Sequence, residues 1–211
     1  MKAVVSYKYG SRDILELKEV GKPVPLDNQV LIKIHASSLN FGNLVLLKGQ
    51  PFLARFAFGL TKPKYPIPGG DIAGQIEEVG KDVKQFHTGD EVFGDLSICG
   101  WGGLAEYAAV PEHALALKPH NISFEEAAAS PMAGVTALQG LRDKGKLKTG
   151  QKVLIHGASG GVGTFAVQLA KTMWADVTGV CSTRNIEILK AIGADHVIDY
   201  TKEDFTLKKE Y

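Results

Sequence analysis

The sequence predicts an α/β fold in which an all-β domain is followed by the first part of a parallel α/β sheet. Short apolar runs separated by Gly and Pro fill the first half of the chain. After residue 122 strands and helices alternate, and one strand leads directly into a glycine-rich helix start. A chain of 211 residues accommodates one large or two small domains. We therefore predict domains at residues 1–122 and 123–211.

The first domain is predicted from its strand pattern. Its alternating or continuous apolar runs are bounded by turn-forming Gly, Pro and Asp residues. They predict strands at residues 2–7, 29–36, 72–79, 91–93 and 105–110.

The second domain is predicted to begin with two helices that bridge the domains. Ser123 and Glu126 have the spacing of a capping box and predict a helix through residue 129, and a second helix is predicted at 131–141. Strands and helices then alternate, which predicts a parallel sheet with right-handed crossovers. The strands are expected at residues 152–156, 177–181 and 196–199, and the helices at 161–173 and 185–192.

Composition excludes several classes of protein. The net charge is +1 and the basic residues are scattered, which argues against nucleic acid as a partner. No apolar stretch approaches the roughly 18 residues of a membrane span, and the N-terminus lacks an apolar signal region. Cys99 and Cys181 are far apart and have apolar or small neighbours, which is typical of reduced thiols. We expect a cytoplasmic protein.

The strongest chemical signal is a glycine loop between a strand and a helix. Gly157, Gly160, Gly161 and Gly163 follow the strand at 152–156. In such a loop one glycine turns the chain, a second admits a pyrophosphate, and a third lets the helix pack closely. The free amides of the helix start then attract the negative charge. The loop predicts a dinucleotide site; the alternative is that the glycines form only a turn.

The end of the next strand indicates which nicotinamide cofactor binds. An acidic residue there would accept hydrogen bonds from a ribose 2′-hydroxyl, but none is present, and Asp176 lies at the other end of the strand. Ser182 and Arg184 instead supply a hydroxyl and a guanidinium for a 2′-phosphate. We therefore predict NADPH rather than NADH. Alternatively, Ser182 caps the next helix and Arg184 is a solvated surface charge.

Together with the segments 69–74 (GGDIAG) and 103–107 (GLAEY), these residues resemble the medium-chain dehydrogenase/reductase superfamily, in its zinc-independent quinone oxidoreductase and enone reductase branch. The resemblance covers residues 1–200. It implies a GroES-like β domain followed by a Rossmann domain, with the substrate in the cleft between them. The implied reaction is hydride transfer from NADPH to a quinone or an α,β-unsaturated carbonyl, with the oxyanion stabilised by Asn40, a ribose hydroxyl or water and the proton taken from solvent.

The resemblance also implies particular site residues. It places Asn40 near the nicotinamide and Tyr200 on the adenosine side, and it matches Thr136 to a cofactor-binding Thr of the bridging helix. It assigns pyrophosphate binding to Ser159, Gly160, Gly161 and Val162. Relatives commonly have Asp where this chain has Asn43, which leaves open the role of that Asp in positioning Asn40. Tyr65 is a second catalytic candidate that could reach the cleft; as a loop tyrosine it could also serve only in packing.

No metal site is expected. A structural zinc site needs four closely spaced thiolates, and the chain has two cysteines. Where zinc-dependent relatives carry a Cys and a Gly-His-Glu motif, this chain has Asn40 with apolar neighbours and Gly69-Gly70-Asp71.

The apolar segment 51–60 (PFLARFAFGL) contains three phenylalanines. It could form a wall for a flat substrate, a membrane-facing or dimer-facing patch, or plain core.

The parallel sheet is expected to be incomplete. A dinucleotide-binding sheet usually has six strands, and three fit before residue 211. The strand at 152–156 would then expose an edge that invites pairing. We expect a C-terminally truncated piece of a longer enzyme; the alternative is that a partner or a second copy, as in a homodimer, completes the sheet. Two other functions stay open: a non-catalytic NADPH-binding protein, and an interaction subunit that uses the β domain alone.

Overall fold

The structure, a computed structural model, describes residues 1–207. The chain folds into two compact units, and the division between them falls between Met132 and Ala133. The boundary predicted after residue 122 precedes this point. The difference arises because the helix Phe124–Ala128 packs against strands of the first unit and is counted with it.

The first unit is built on antiparallel strands. A two-stranded ribbon pairs β1 with β2, and a five-stranded sheet has the order β6-β3-β4-β5-β7. Val30, Ile32, Ile72 and Val92 form the centre of its core. The strands are β1 Lys2–Val5, β2 Glu16–Glu19, β3 Gln29–Ser38, β4 Asp71–Val79, β5 Glu91–Asp95, β6 Tyr107–Pro111 and β7 Leu115–Leu117.

Three short helices complete the first unit: α1 Phe41–Lys48, α2 Arg55–Phe58 and α3 Phe124–Ala128. Both hydrogen bonds of the predicted capping box between Ser123 and Glu126 are present at the start of α3. This confirms the helix start predicted at Ser123.

The second unit contains a parallel sheet with the order β10-β9-β8. Its strands are β8 Lys152–His156, β9 Asp176–Cys181 and β10 His196–Asp199. Helix α4, Pro131–Leu138, crosses the boundary between the units and continues as a π-helical segment, Gln139–Lys144. The crossover helices are α5 Gly161–Thr172 and α6 Ile186–Ala191.

The three parallel strands end at the same edge of their sheet, so the loops that follow them are neighbours. Among residues 1–207, β8 pairs with β9 alone and forms an outer edge. Of the polar tail predicted at 201–211, residues 208–211 lie outside the described residues. The predicted fold class, a β domain followed by a partial parallel α/β sheet, is confirmed.

Candidate cofactor and active site

The glycine loop connects β8 to α5 through positions that need glycine for different reasons. Gly157 has φ 70°, a left-handed conformation that turns the chain after the strand. Gly163 is buried, and a Cβ there would lie 2.2 Å from the carbonyl oxygen of Gly157. Gly161, by contrast, faces open space. The loop therefore packs tightly through Gly163 and leaves the backbone of Gly161 accessible.

The start of α5 is open to an anion. No side chain caps this helix, whose N-cap is Gly160. The N–H groups of Gly161, Val162 and Gly163 have no carbonyl in a preceding helical turn to pair with. Since the helix dipole adds positive character there, the junction is electrostatically suited to a diphosphate.

Asn185 connects the glycine loop to the loop that follows β9. Its Nδ2 donates to Oγ of Ser159 at 2.9 Å and lies 3.4 Å from Oγ of Ser182. Both serines were predicted to contact the cofactor, whereas Asn185 was not. The sequence did contain a signal for this contact. Asn185 lies three residues after Ser182, a spacing at which an Asn side chain can reach back to the start of a turn.

Arg184 and Tyr200 lie at the same edge of the sheet and are exposed. Arg184 follows β9 within a 3₁₀ turn, Thr183–Asn185, and the structure shows no ion pair for it among the described residues. Tyr200 follows β10 and is 55% exposed, while its backbone N–H donates to the carbonyl oxygen of Cys181 at 3.1 Å. Both side chains are free to contact a ligand.

Asp199 directly precedes Tyr200 and is buried. Its carboxylate accepts hydrogen bonds from the hydroxyls of Thr183 and Thr201, and these bonds lower the pKa of Asp199. The side chain of Asp199 thus connects the loops after β9 and β10. Thr136, another predicted cofactor contact, is exposed on α4.

Asn40 is the N-cap of α1. Its Oδ1 accepts hydrogen bonds from the backbone N–H of Gly42 at 3.1 Å and from Nδ2 of Asn43 at 3.3 Å. Its Nδ2 donates to Oδ2 of Asp71 at 3.2 Å. Asn43 is 6% exposed, and its Oδ1 accepts from the backbone N–H of Gly69 at 2.9 Å. The amide of Asn40 is therefore held from both ends.

Asp71 begins β4 and is 1% exposed. Its Oδ2 accepts a second hydrogen bond, from Oγ of Ser38 at 3.0 Å, and its Oδ1 accepts from the backbone N–H of Met132 at 3.0 Å. Burial raises the pKa of Asp71 to about 6, and these hydrogen bonds offset only part of that effect. Asp71 was noted in the sequence as part of the segment 69–74 and of the positions where zinc-dependent relatives carry Gly-His-Glu, and its contact with Asn40 was not predicted.

Asn40 and Tyr65 line different cavities. Tyr65 lines one of about 390 Å³ together with Tyr7, Trp101 and Tyr107. Asn40 lines an apolar one of about 530 Å³, and the two cavities share no lining residue. The structure thus does not bring the two predicted catalytic residues together in one cavity. The residues around Asn40 include Leu15, Leu39, Phe41, Leu44, Pro68 and Leu104.

The apolar segment 51–60 lies outside the core. The exposed fractions of Phe52, Leu53, Phe56 and Leu60 are between 54% and 74%. The interpretation of this segment as plain core is therefore wrong. Within the segment, Phe58 packs edge-on against Trp101, with 6.1 Å between the ring centroids.

Neither cysteine is activated as a nucleophile. Burial raises the pKa of the Cys99 thiol to about 11 and also raises the pKa of Cys181. Among residues 1–207, no three His, Cys, Asp or Glu side chains are grouped so that they could hold a metal ion. No helix in this part of the chain is long and apolar enough to cross a lipid bilayer.

A β unit followed by a parallel sheet with an open glycine loop defines the class of two-unit dinucleotide-binding dehydrogenases and reductases. The Alcohol dehydrogenase GroES-like domain family matches residues 26–120, and the Zinc-binding dehydrogenase family matches residues 161–211. The chain belongs to the medium-chain dehydrogenase/reductase superfamily.

Similar proteins are quinone and enone reductases. The chain is 46% identical to a chloroplast envelope quinone oxidoreductase homolog of Arabidopsis thaliana, over 92% of this chain and 59% of that protein. It is 43% identical to 2-methylene-furan-3-one reductase of Solanum lycopersicum, over 97% and 53%. An NADPH-dependent alkenal/one oxidoreductase of Arabidopsis thaliana is 39% identical, over 97% and 53%.

Solved structures have the same fold. The quinone oxidoreductase of Coxiella burnetii superposes with a TM-score of 0.89 at 37% identity, and the match covers 98% of this chain and 64% of that one. The chain thus spans between about half and two thirds of the length of these relatives.

Proposed function

We propose that this chain is part of an NADPH-dependent oxidoreductase that delivers hydride to a quinone or an α,β-unsaturated carbonyl without zinc. The observation that carries the proposal is the uncapped start of α5 next to an accessible glycine backbone. The quinone and enone reductases among its relatives support the substrate class.

The residues at the edge of the parallel sheet fit the cofactor. The free amides of Gly161 and Val162 would hold the diphosphate, with Gly160 and Ser159 beside them in the loop. Ser182 and Arg184 would bind a 2′-phosphate, for which the exposed guanidinium of Arg184 is suited. By resemblance, Tyr200 would contact the adenosine, Asn40 the nicotinamide side, and Thr136 the cofactor from the bridging helix.

The chemistry assigned to the chain itself is limited. The reduced nicotinamide supplies a hydride when the cofactor is bound. Asn40 donates an N–H to the oxygen that becomes negative on the substrate, and the apolar side chains lining the cavity at Asn40 exclude water from the reacting carbon. Protonation then comes from solvent. Tyr65 stays a candidate for a second donor, although it lines another cavity.

The residues present do not fit a catalytic zinc ion. The carboxylate of Asp71 is committed to Asn40, Ser38 and Met132. The Cys99 thiol donates to the carbonyl oxygen of Leu96 at 3.6 Å. The proposed reaction therefore uses no metal, although one matching family is named for zinc.

Turnover tests this function. The purified chain is mixed with NADPH and a panel that contains a benzoquinone, a naphthoquinone and a small enone. We expect oxidation of the reduced cofactor with at least one of them, at a rate that a zinc chelator does not change. Absence of oxidation with the whole panel, or a chelator effect that zinc reverses, would contradict the proposal.

A second candidate function is a non-catalytic NADPH-binding protein. The observation that favours it is the unpartnered edge of β8 within residues 1–207, beside the proposed cofactor site. NADPH binding with no turnover across the panel would support this second function over the first.

The assembly and the compartment belong to the same proposal. We predict a cytoplasmic protein that can form a homodimer, whereas one relative is named for the chloroplast envelope. Light scattering compared with the 22.7 kDa of the chain measures the assembly, and imaging of a tagged protein in its own cell measures the compartment.

A further inference from the structure

The hydrogen-bond partners of Asn40 determine which end of its amide is the oxygen and which is the nitrogen. The backbone N–H of Gly42 can only donate, so the Asn40 atom that faces it at 3.1 Å must be Oδ1. Nδ2 of Asn43 donates to the same oxygen. The nitrogen of Asn40 therefore faces Asp71.

The carboxylate of Asp71 accepts one of the two Nδ2 protons of Asn40. It is itself held by Ser38 and by the backbone of Met132, and it is 1% exposed. The second Nδ2 proton of Asn40 has no acceptor among the described residues, and Asn40 lines the apolar cavity.

We propose that Asp71 is a positioning residue that, with Asn43, locks the amide of Asn40 so that its second Nδ2 proton faces the substrate oxygen. The inference rests on the proposed function for its catalytic meaning. The acceptor for the Asn40 N–H is supplied from β4, since Asn43 is an amide that donates to Asn40 Oδ1.

The protonation state of Asp71 controls this lock. The carboxylate accepts the Asn40 N–H, whereas a protonated carboxyl loses acceptor capacity and gains a donor. Burial raises the pKa of Asp71 to about 6. The hydrogen bond from Asn40 to the Asp71 carboxylate is therefore fully formed above that pH and is weakened below it. One neighbouring charge, that of Asp95 on β5, also raises the pKa of Asp71. The other titratable groups on β4 and on the elements packed against it are Lys33, His35, Glu77, Glu78, Glu91, Glu125 and Glu126.

The lock is tested directly by nuclear magnetic resonance of the chain labelled with heavy nitrogen. The side-chain amide signals of Asn40, identified by their loss in Asn40→Ala, are followed from about pH 4.5 to about pH 7.5. We expect both signals to shift with a midpoint near that of Asp71. Signals that stay constant over this range would overturn the proposal.

Three variants separate Asp71 from its surroundings. Asp71→Asn should abolish the titration of the Asn40 signals. Asp95→Asn should keep it with a lower midpoint because a charge that raises the pKa is removed, and Ser38→Ala should keep it with a higher midpoint because a hydrogen bond that lowers the pKa is removed. If Asp71→Asn does not fold, the opposite shifts of the titration midpoint in Asp95→Asn and Ser38→Ala still show whether Asp71 is the titrating group. An unchanged titration in Asp71→Asn, or midpoints that do not move, would contradict the assignment.

Turnover shows whether the lock serves catalysis. We expect the wild-type rate to fall at acidic pH. Asp71→Asn should lower kcat roughly ten- to hundredfold, leave the Kd for NADPH unchanged and remove this acidic fall. Asp95→Asn should retain the acidic fall at a lower pH. A kcat of Asp71→Asn equal to that of the wild type would overturn the catalytic role. A wild type without turnover would instead sink the proposed function, and the resonance titration would still decide whether Asp71 holds Asn40.

Discussion

Gly161 and Gly163 are two residues apart at the start of α5, yet the structure gives them different tasks. An added Cβ at Gly163 would collide with the backbone of Gly157 and Ala158, whereas one at Gly161 would meet nothing within 4 Å. Gly163 therefore serves packing, and Gly161 is available to serve a ligand.

The two glycines give a matched pair of substitutions. Gly161→Ala should leave the melting temperature unchanged but raise the Kd for NADPH at least roughly tenfold, since its methyl group would occupy the space of the diphosphate. Gly163→Ala should lower the melting temperature. Calorimetry measures both quantities, and an unchanged Kd in Gly161→Ala would show that no diphosphate approaches this backbone.

Arg184 is predicted to discriminate between the two nicotinamide cofactors. Arg184→Ala should weaken NADPH binding by roughly tenfold and leave NADH binding unchanged, because only NADPH carries the 2′-phosphate. Arg142→Ala is the control, since Arg142 is also exposed but pairs with Asp143 at 2.6 Å. Equal losses for both cofactors in Arg184→Ala would mean that Arg184 does not contact the 2′-phosphate.

Asp71 should make stability depend on pH in a defined direction. Its pKa is about 6 in the folded chain, above the roughly 3.9 of an unfolded Asp, so the folded state binds the proton more tightly. The stability that Asp71 contributes is therefore present at low pH and is lost as the pH rises through about 6. Urea unfolding, followed by the fluorescence of the buried Trp101, should show the wild type losing stability relative to Asp71→Asn across this window. A constant difference between the two proteins would contradict the raised pKa.

At the scale of elements, the start of α3 shows how a local signal positions a segment. The Ser123 hydroxyl accepts from the backbone N–H of Glu126 at 3.2 Å, and the Glu126 carboxylate accepts from the backbone N–H of Ser123 at 2.8 Å. Ser123→Ala should lower the free energy of unfolding of the first unit by about 1 kcal/mol, whereas Ser123→Asn should retain most of it. Equal stabilities of the Ala and Asn variants in urea unfolding would show that the cap contributes nothing.

The elements that the sequence predicted well have strong local patterns. The bounds of β8 and β10 agree with the prediction to the residue, because each is a short apolar run between turn formers. Helix α1 was missed: Phe41 is 77% exposed and Leu44 is 49% exposed, so its apolar residues show no single buried face. Strand β2 was missed because all four of its residues are exposed and do not alternate.

The candidate site was predictable where it follows the backbone and not where it depends on distant side chains. The glycine loop and the loop after β9 could be found because strand ends at one sheet edge bring them together. The contact between Asn40 and Asp71 joins residues that are 31 positions apart, and its partners come from β3, α1 and α4. Residue spacing contains no information about such a contact.

Each of the two units has its own hydrophobic core. One cluster includes Val30, Ile72 and Val92, and the other includes Val167 and Val177. The second core supports the glycine loop, since Ala158 and Ala166 belong to it. In the proposed function, this packed scaffold presents free amides to a diphosphate and the Arg184 cation to the additional phosphate of NADPH.

A calorimetric titration of the chain with NADPH and, separately, with NADH tests this claim most directly. We predict saturable binding of NADPH and at least roughly tenfold weaker binding of NADH. Failure to bind either cofactor, or NADH binding as tight as that of NADPH, would contradict the account.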